Sequence, residues 1–473
     1  MMVAKEFLYL TMHTSFRNLV DVTLQECKFN FLPKEFGTLH HLQEITLSSN
    51  YVVNTTRSAW EWLEQDSMRN NLKSLRIMHY DLPELPLQIT CLNRLTKLNM
   101  RGSKISSLPK EFGNLILVEL DLSYNNLGNS KESVWEWLMQ TPIRYTLKRL
   151  NISHNYIKSL AKEFGTLSQL LELNLSNNLL GTCRHSTWEW LNMPIRNNLM
   201  HLEICGNFLT EFPLQITYLK ELMWLDISNN KIHFLPKKLG TLPKLKCFLL
   251  SFNHLGKSDR NKWEWLEQAA VTNELLGLDL SFNLLTELPP QIGKLNALVY
   301  LSLASNEIKC LPQSLSNLKS LEGLNLSNNN LKYLPGSVSH LTARINVDEN
   351  PFNLIDDDID DDNDDDGDDD SGDDFITKLE VPSLVDCSAE VILKNGLEYT
   401  NYGLPEELIR YMNNTRHCFL CNNACYRYYE KRFINYPDYC GIPNFKLHAS
   451  ENIKNASFEC YVCSSNCAEM LRN

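Results

Sequence analysis

The sequence predicts an α/β solenoid followed by an acidic linker and a small cysteine-rich domain. Three observations predict it: a leucine pattern that returns every 22 to 30 residues, a run of aspartates that begins where the pattern stops, and a tail that packs seven of the 14 cysteines into the fifty residues from Cys418 to Cys467. Self-similarity is settled first, because a repeat mistaken for a globular domain misassigns every element inside it.

The pattern Leu-x-x-Leu-x-Leu-x-x-Asn-x-Leu-x-x-Leu-Pro lies over the chain from Leu19, Leu42, Leu72, Leu95, Leu117, Leu147, Leu170, Leu199, Leu222, Leu245, Leu275, Leu298 and Leu321. A shorter version, Ile345-x-Val347-x-x-Asn350-Pro351-Phe352, closes the array. Leu-x-Leu reads as a short strand whose two leucines point inward and whose middle residue meets solvent. One such unit cannot bury its leucines alone, but thirteen or fourteen stacked units form a curved parallel sheet over one elongated core. Residues 19–352 are therefore assigned to the solenoid, and residues 1–18 to an N-terminal cap or partial repeat. The asparagine position, occupied by Asn125, Asn155, Asn178, Asn230, Asn283 and Asn329, predicts a buried ladder bonded to neighbouring turns, interrupted at Cys27, Tyr80 and Ser103.

Four units are 29 or 30 residues long, opening at Leu42, Leu117, Leu170 and Leu245. Each contains the same insert: Trp60-Glu-Trp62-Leu63, Trp135-Glu-Trp137-Leu138, Trp188-Glu-Trp190-Leu191 or Trp263-Glu-Trp265-Leu266. Eight of the nine tryptophans thus recur in register, which predicts a short outer helix packed on the core. A ligand-binding aromatic cage is the alternative.

This repeat resembles the short Leu-Pro type of leucine-rich repeat found in intracellular scaffold proteins. The resemblance implies a horseshoe whose concave side carries the variable strand positions and binds a protein. Most of those positions are Ser, Asn, Asp or Glu, and two clusters depart from that background. One is basic, with Arg76, His79, Lys97, Arg101, Arg149 and His154; the other is apolar, with Trp224, Leu249, Phe252, Phe282 and Tyr300. Aromatic and arginine side chains carry much of the energy of protein interfaces, so both clusters are candidate partner contacts. The plainer alternative is a solvated surface for the charges and a common Ser-Phe-Asn triplet for the phenylalanines. The array holds no phosphate-binding glycine loop, no His-Glu-x-x-His and no Gly-x-Ser-x-Gly, so no enzyme activity is expected of it.

The formal charge of −12 is local: fourteen aspartates lie between Asp356 and Asp374, and setting them aside turns −12 into +2. The near-neutral remainder has no basic field to hold phosphate backbones, so nucleic acid is not an expected partner. Residues 353–376 repel themselves and read as a disordered acidic linker. The first twenty residues lack the unbroken apolar stretch of a signal peptide, and no run of apolar residues is long enough to span a bilayer, so no membrane partner is expected. Cys27, Cys91, Cys183, Cys205, Cys247 and Cys310 are scattered singly, which fits the reducing cytoplasm or the nucleus.

Residues 377–473 form the cysteine-rich domain. Cys418-x2-Cys421-x3-Cys425 is answered by Cys460-x2-Cys463-x3-Cys467, with Cys440 between. Paired knuckles of this kind can give four thiolates to a tetrahedral structural zinc, which would staple a tail otherwise short of core. Either a CxxC or a CxxxC pair could serve at each end, and free thiols or disulfides are the alternative. The runs PSLVDCSAEVILKN and LPEELIRYMNN, Tyr439-Cys440-Gly441 and the final cysteines resemble the leucine-rich-repeat-containing protein 58 family, whereas the aspartate run and the tryptophan inserts depart from it. Within the tail, Leu384, Ser388 and Ile392 fit a loose elongin-binding box, with Ser388 where that motif usually has Cys. Such a helix would recruit elongins B and C and a cullin, making the repeats the substrate-recognition subunit of a ubiquitin ligase. The other reading is a scaffold or adaptor that needs only the repeats.

Overall fold

The computed structural model describes residues 18–25, 32–48, 57–82, 84–128, 135–182, 188–257, 263–352, 388–389, 391–392, 412, 416–421, 424–425, 430–435, 447–448, 457–462 and 467. The chain divides into two compact units, Met1–Ile232 with Leu242–Leu249, and His233–Thr241 with Leu250–Asn473.

In the first unit the Leu-x-Leu triplets form β1 (Asp21–Gln25), β2 (Glu44–Ser48), β3 (Ser74–Met78), β4 (Lys97–Asn99), β5 (Glu119–Asp121), β6 (Arg149–Asn151), β7 (Glu172–Asn174), β8 (His201–Glu203), β9 (Trp224–Asp226) and β10 (Cys247–Leu249). Each pairs in parallel with the next, so that Val22, Ile45, Leu75, Leu98, Leu120, Leu150, Leu173, Leu202, Leu225 and Phe248 fall in one register. That row is the fourth residue of every sequence repeat, and from Ile45 onward all of it is buried. A strand only three residues long exposes its backbone groups unless a neighbour pairs them, so each repeat depends on the next for its hydrogen bonds as well as for its core.

The asparagine ladder is present. The Asn155 side-chain oxygen accepts the Leu127 N–H at 2.9 Å, while its amide donates to the Leu122 and Ile152 carbonyls at 3.0 and 3.1 Å. Asn178 and Asn230 repeat the arrangement, and Asn207, in the repeat that opens at Leu199, joins them. At the predicted interruption the Ser103 hydroxyl donates to the Ile77 carbonyl at 3.0 Å. The residue before each ladder asparagine is commonly left-handed, as at Tyr124 (φ 58°), His154 (φ 52°) and Asn177 (φ 55°). That conformation turns the chain off the strand and puts the side chain at a corner of the repeat.

The inserts form short 3-10 helices over Arg57–Glu64, Glu136–Met139 and Glu189–Asn192. The first two lead into α1 (Asp66–Asn71) and α2 (Thr141–Thr146). Trp62, Trp137 and Trp190 are fully enclosed, and Phe112 meets Trp137 edge-on at 5.6 Å. Gly113, one repeat upstream, lies so close that a Cβ there would collide with the Trp137 carbonyl oxygen. Only glycine admits that approach.

The second unit begins the same way. A fourth insert helix, Glu264–Glu267, leads into α3 (Ala269–Glu274). There follow β11 (Gly277–Asp279), β12 (Tyr300–Ser302), β13 (Gly323–Asn325), β14 (Tyr333–Pro335) and β15 (Arg344–Asn346). Leu278, Leu301, Leu324 and Ile345 share one register along β11, β12, β13 and β15. The described tail residues add β16 (Arg416–His417), β17 (Ala424–Cys425), β18 (Glu430–Asn435), β19 (Leu447–His448) and β20 (Ser457–Val462). Two of these strands pair with the repeats themselves: β19 runs parallel to β15, and β20 runs parallel to β14 while pairing antiparallel with β18. Leu334 and Phe458 meet in that register and both are wholly buried. The tail thus covers the exposed edge that the last repeat of a solenoid would otherwise present. Among the described residues no helix is long and apolar enough to cross a membrane.

Candidate partner-binding face and cysteine cluster

On the first unit, the outward positions of successive strands alternate in charge. Lys97 Nζ lies 3.3 Å from Glu119 Oε1, and Arg149 donates to the same carboxylate. Burial pushes the Glu119 carboxyl up, but hydrogen bonds from Arg149 and Lys97 together outweigh it and hold the group below its ordinary value. Arg76 shares with Lys97 and Arg149 a shallow depression that also contains Glu172, His201 and Glu203. The Glu203 carboxyl is pushed up by burial and by the neighbouring Asp226. The basic residues therefore stand in a mixed field, and pairs as exposed as these contribute about 0–1 kcal/mol each to stability while setting which charges a partner can bring.

Arg101 departs from that row. Its guanidinium sits 4.2 Å over the Tyr124 ring, and Tyr124 stacks on His154 at 3.9 Å with 13° between the rings. Asn177 continues the column, its side-chain nitrogen 3.1 Å from a His154 ring nitrogen. Burial and the Arg101 charge lower the His154 pKa. His79 belongs to the same corner position, with φ 60°. Tyr124 and Glu119 were not among the sequence candidates. The signal that could have found Tyr124 is its place immediately before a ladder asparagine.

Trp224 occupies the first outward position of β9, 38% exposed and edge-on to His201 at 6.4 Å. Leu249 ends β10, half-buried. On the second unit, Phe252 and Phe282 stack at 4.1 Å with 7° between rings, and both are about half exposed. They stand at left-handed corners (φ 55° and 52°), not on strands, because each precedes a ladder asparagine. Tyr300 opens β12, 60% exposed, its phenol 3.4 Å from a Glu322 carboxylate oxygen and its ring against Gly323.

In the tail the structure brings three of the seven candidate zinc ligands together. The sulfurs of Cys418, Cys421 and Cys467 all lie within 4.8 Å of one another, with Cys421 and Cys467 4.0 Å apart. Cys425 is buried in the same cluster with Cys418, Tyr461 and Val462, against which Cys467 packs. Burial, reinforced by the three neighbouring thiols, pushes the Cys425 thiol up to about 12. The Cys460 thiol faces elsewhere, toward Gly336 in the last repeats. Cys440 and Cys463 lie outside the described residues, as does Leu384 of the elongin-box candidate. Of that box, Ser388 is helical and exposed and Ile392 helical and half-buried.

Residues 197–255 and 273–342 match the family model for the leucine rich repeat. Over 270 residues the chain is 31% identical to an adenylate cyclase of Schizosaccharomyces pombe, which covers 54% of this chain and 15% of that protein. Over 274 residues it is 26% identical to Toll-like receptor 2 type-1 of Gallus gallus, covering 50% and 32%. The match thus spans less than a third of either relative's length. Among solved structures, a leucine-rich-repeat protein of Leptospira interrogans has a TM-score of 0.51 at 26% identity, covering 74% of this chain and 95% of that one. A chain of the glycosylated Toll–Spatzle complex of Drosophila reaches a TM-score of 0.57 at 20% identity, covering 71% and 44%, and shares the fold. Strand register, asparagine ladder and these matches agree that the chain carries a parallel-sheet leucine-rich-repeat solenoid.

Proposed function

We propose that the protein is an interaction scaffold or adaptor that binds a protein partner on the outward strand face of its repeats. Leucine-rich-repeat proteins generally mediate protein–protein interactions, and the fold is typically non-enzymatic. The observation that carries the reading is Trp224, 38% exposed on β9, whereas the insert tryptophans Trp62, Trp137, Trp190 and Trp265 are enclosed. A tryptophan left partly wet on a rigid sheet is costly unless another surface covers it, and a docked anchor of this type typically contributes about 2 kcal/mol or more to binding. The charged row around Glu119, on the same unit as Trp224, then orients the partner; on the second unit the exposed Phe252–Phe282 stack and Tyr300 are a separate candidate contact surface. The tail is assigned a structural zinc, and the protein is placed in the cytoplasm or nucleus. Affinity purification of the full chain with mass spectrometry tests the proposal: a specific partner lost in Trp224→Ala and kept in Leu87→Ala supports it, and an unchanged partner set sinks it.

A second reading, a substrate-recognition subunit that recruits elongins B and C and a cullin, is favoured by the helical state of Ser388, Ala389, Val391 and Ile392, with Val391 56% exposed. The same purification distinguishes the two. Elongins that co-purify with the wild type and disappear with Leu384→Arg would establish it, and their absence from the wild type would remove it.

A further inference from the structure

The thiol cluster and the end of the solenoid meet through one strand. β20 pairs with β14 of the last repeats, and the Phe419 N–H donates to the Tyr461 carbonyl at 2.7 Å, fastening the Cys418–Cys421 turn onto β20. Phe419 and Cys460 both face Gly336, which stands directly after β14 in sequence. Cys467 comes five residues after the end of β20. Whatever holds Cys467 to Cys418 and Cys421 therefore ties the C-terminal end of β20 to the turn hydrogen-bonded to it.

The sulfur spacing suits a shared metal ion better than a disulfide. A disulfide needs its sulfurs about 2.05 Å apart, whereas Cys421 and Cys467 stand 4.0 Å apart. Four thiolates about 2.3 Å from a tetrahedral zinc lie roughly 3.8 Å from one another. The described trio fits that figure, with all three sulfurs within 4.8 Å, and Cys425, buried in the same cluster but outside that 4.8 Å group, is the candidate for the fourth position.

We propose that Cys418, Cys421, Cys467 and Cys425 bind one zinc ion whose role is to lock the tail onto the last repeats as a C-terminal cap. The inference rests on the structural-zinc assignment above and adds its ligands and its purpose. The metal acts on the repeats at a distance: it holds β20 in place, and β20 shields the edge of β14 and the buried pair Leu334–Phe458. Cys460 takes no part in coordination and packs beneath the cap.

The test uses the full chain. Zinc content is measured for the wild type, for Cys421→Ser and Cys467→Ser, and for Cys91→Ser and Cys310→Ser as exposed controls in the repeats. Amide hydrogen exchange over residues 331–346 is then followed before and after chelation and after zinc is restored. The proposal expects about one zinc per chain, lost in the two tail variants and kept in both controls, with exchange over 331–346 at least tenfold faster without metal and slow again on its return. No zinc in the wild type overturns both the assignment and the inference. Zinc that is present while exchange over 331–346 ignores its removal overturns the capping role and leaves the assignment standing, and zinc retained in Cys421→Ser and Cys467→Ser overturns the ligand set. Because chelation and restoration are done on the wild type, a variant that fails to fold cannot decide the outcome.

Discussion

Tryptophan serves two opposite purposes in this protein. In the inserts it fills the space behind the strands, so that Trp137 is fully enclosed against Phe112; on β9 the same residue type stands in the outward row with 38% of its surface wet. Nothing about the side chain distinguishes the two cases. Position in the repeat does: a tryptophan that returns at a fixed place in several repeats is fitted to the core, and the one at a variable strand position is left on the outward face.

The largest effect expected from breaking that comparison is at Trp137. Its truncation to alanine removes a wholly buried indole and leaves a cavity between two repeats, a loss of about 3–5 kcal/mol. Chemical denaturation should show a large drop in midpoint, with hydrogen exchange accelerating first in the repeats that flank β5 and β6. A drop no larger than that of an exposed-site variant would mean that the insert is not core.

Next in size is the ladder. Asn178→Ala strips the Ile157 N–H of its acceptor in a buried turn, while the Ile152 and Leu175 carbonyls each lose one donor and keep those of Asn155 and Asn207. A buried N–H costs about 1–3 kcal/mol when left unpaired, and local relaxation or water returns part of it. The lowered denaturation midpoint should be matched by faster exchange at Ile157, the amide that loses its acceptor. Trp224→Ala belongs at the other end of the stability scale. Its midpoint should move by no more than about 0.5 kcal/mol, as for surface substitutions generally, while partner affinity falls at least tenfold by calorimetry or biolayer interferometry. The contrast between Trp137 and Trp224 collapses if both variants unfold alike.

The strand register was legible because it is written thirteen times: the fourth residue of each repeat is the residue that pairs across β1 to β9 and β11 to β13. The ladder was legible for the same reason. What escaped was set by single events. Phe252 and Phe282 were recognised by type but placed on the strand face, since nothing in a lone Ser-Phe-Asn shows that the phenylalanine must take positive φ for the next asparagine to reach inward. Lys97 and Arg149 were read as a basic patch because they were chosen by sign; the row position they share with Glu119 is visible in the sequence only once pairing is known. The attachment of the tail was hidden because β19 has two residues and β14 three, too few to carry a period. Cys460 and Cys418 belong to similar knuckles, yet a parallel pairing with β14 turns one toward Gly336 and leaves the other among thiols.

The two corner stacks offer the finest comparison. Phe252–Phe282 in the second unit is neutral, whereas Arg101–Tyr124–His154 in the first contains an imidazole that can take up a proton. Burial and the Arg101 charge depress the His154 pKa in the folded state, so the unfolded chain binds the proton more readily. Stability from this residue is therefore complete above the unfolded value of about 6.5 and declines as pH falls through it. The site is solvent-facing and the effect correspondingly small. Denaturation midpoints measured between pH 7.5 and 5.5 should fall slightly more steeply for the wild type than for His154→Phe, which keeps the aromatic stack and cannot take up a proton. Phe252→Ala should leave the slope unchanged. Parallel curves for wild type and His154→Phe would show that Arg101 and Tyr124 hold the histidine without restraining its charge, and the two stacks would then differ only in shape.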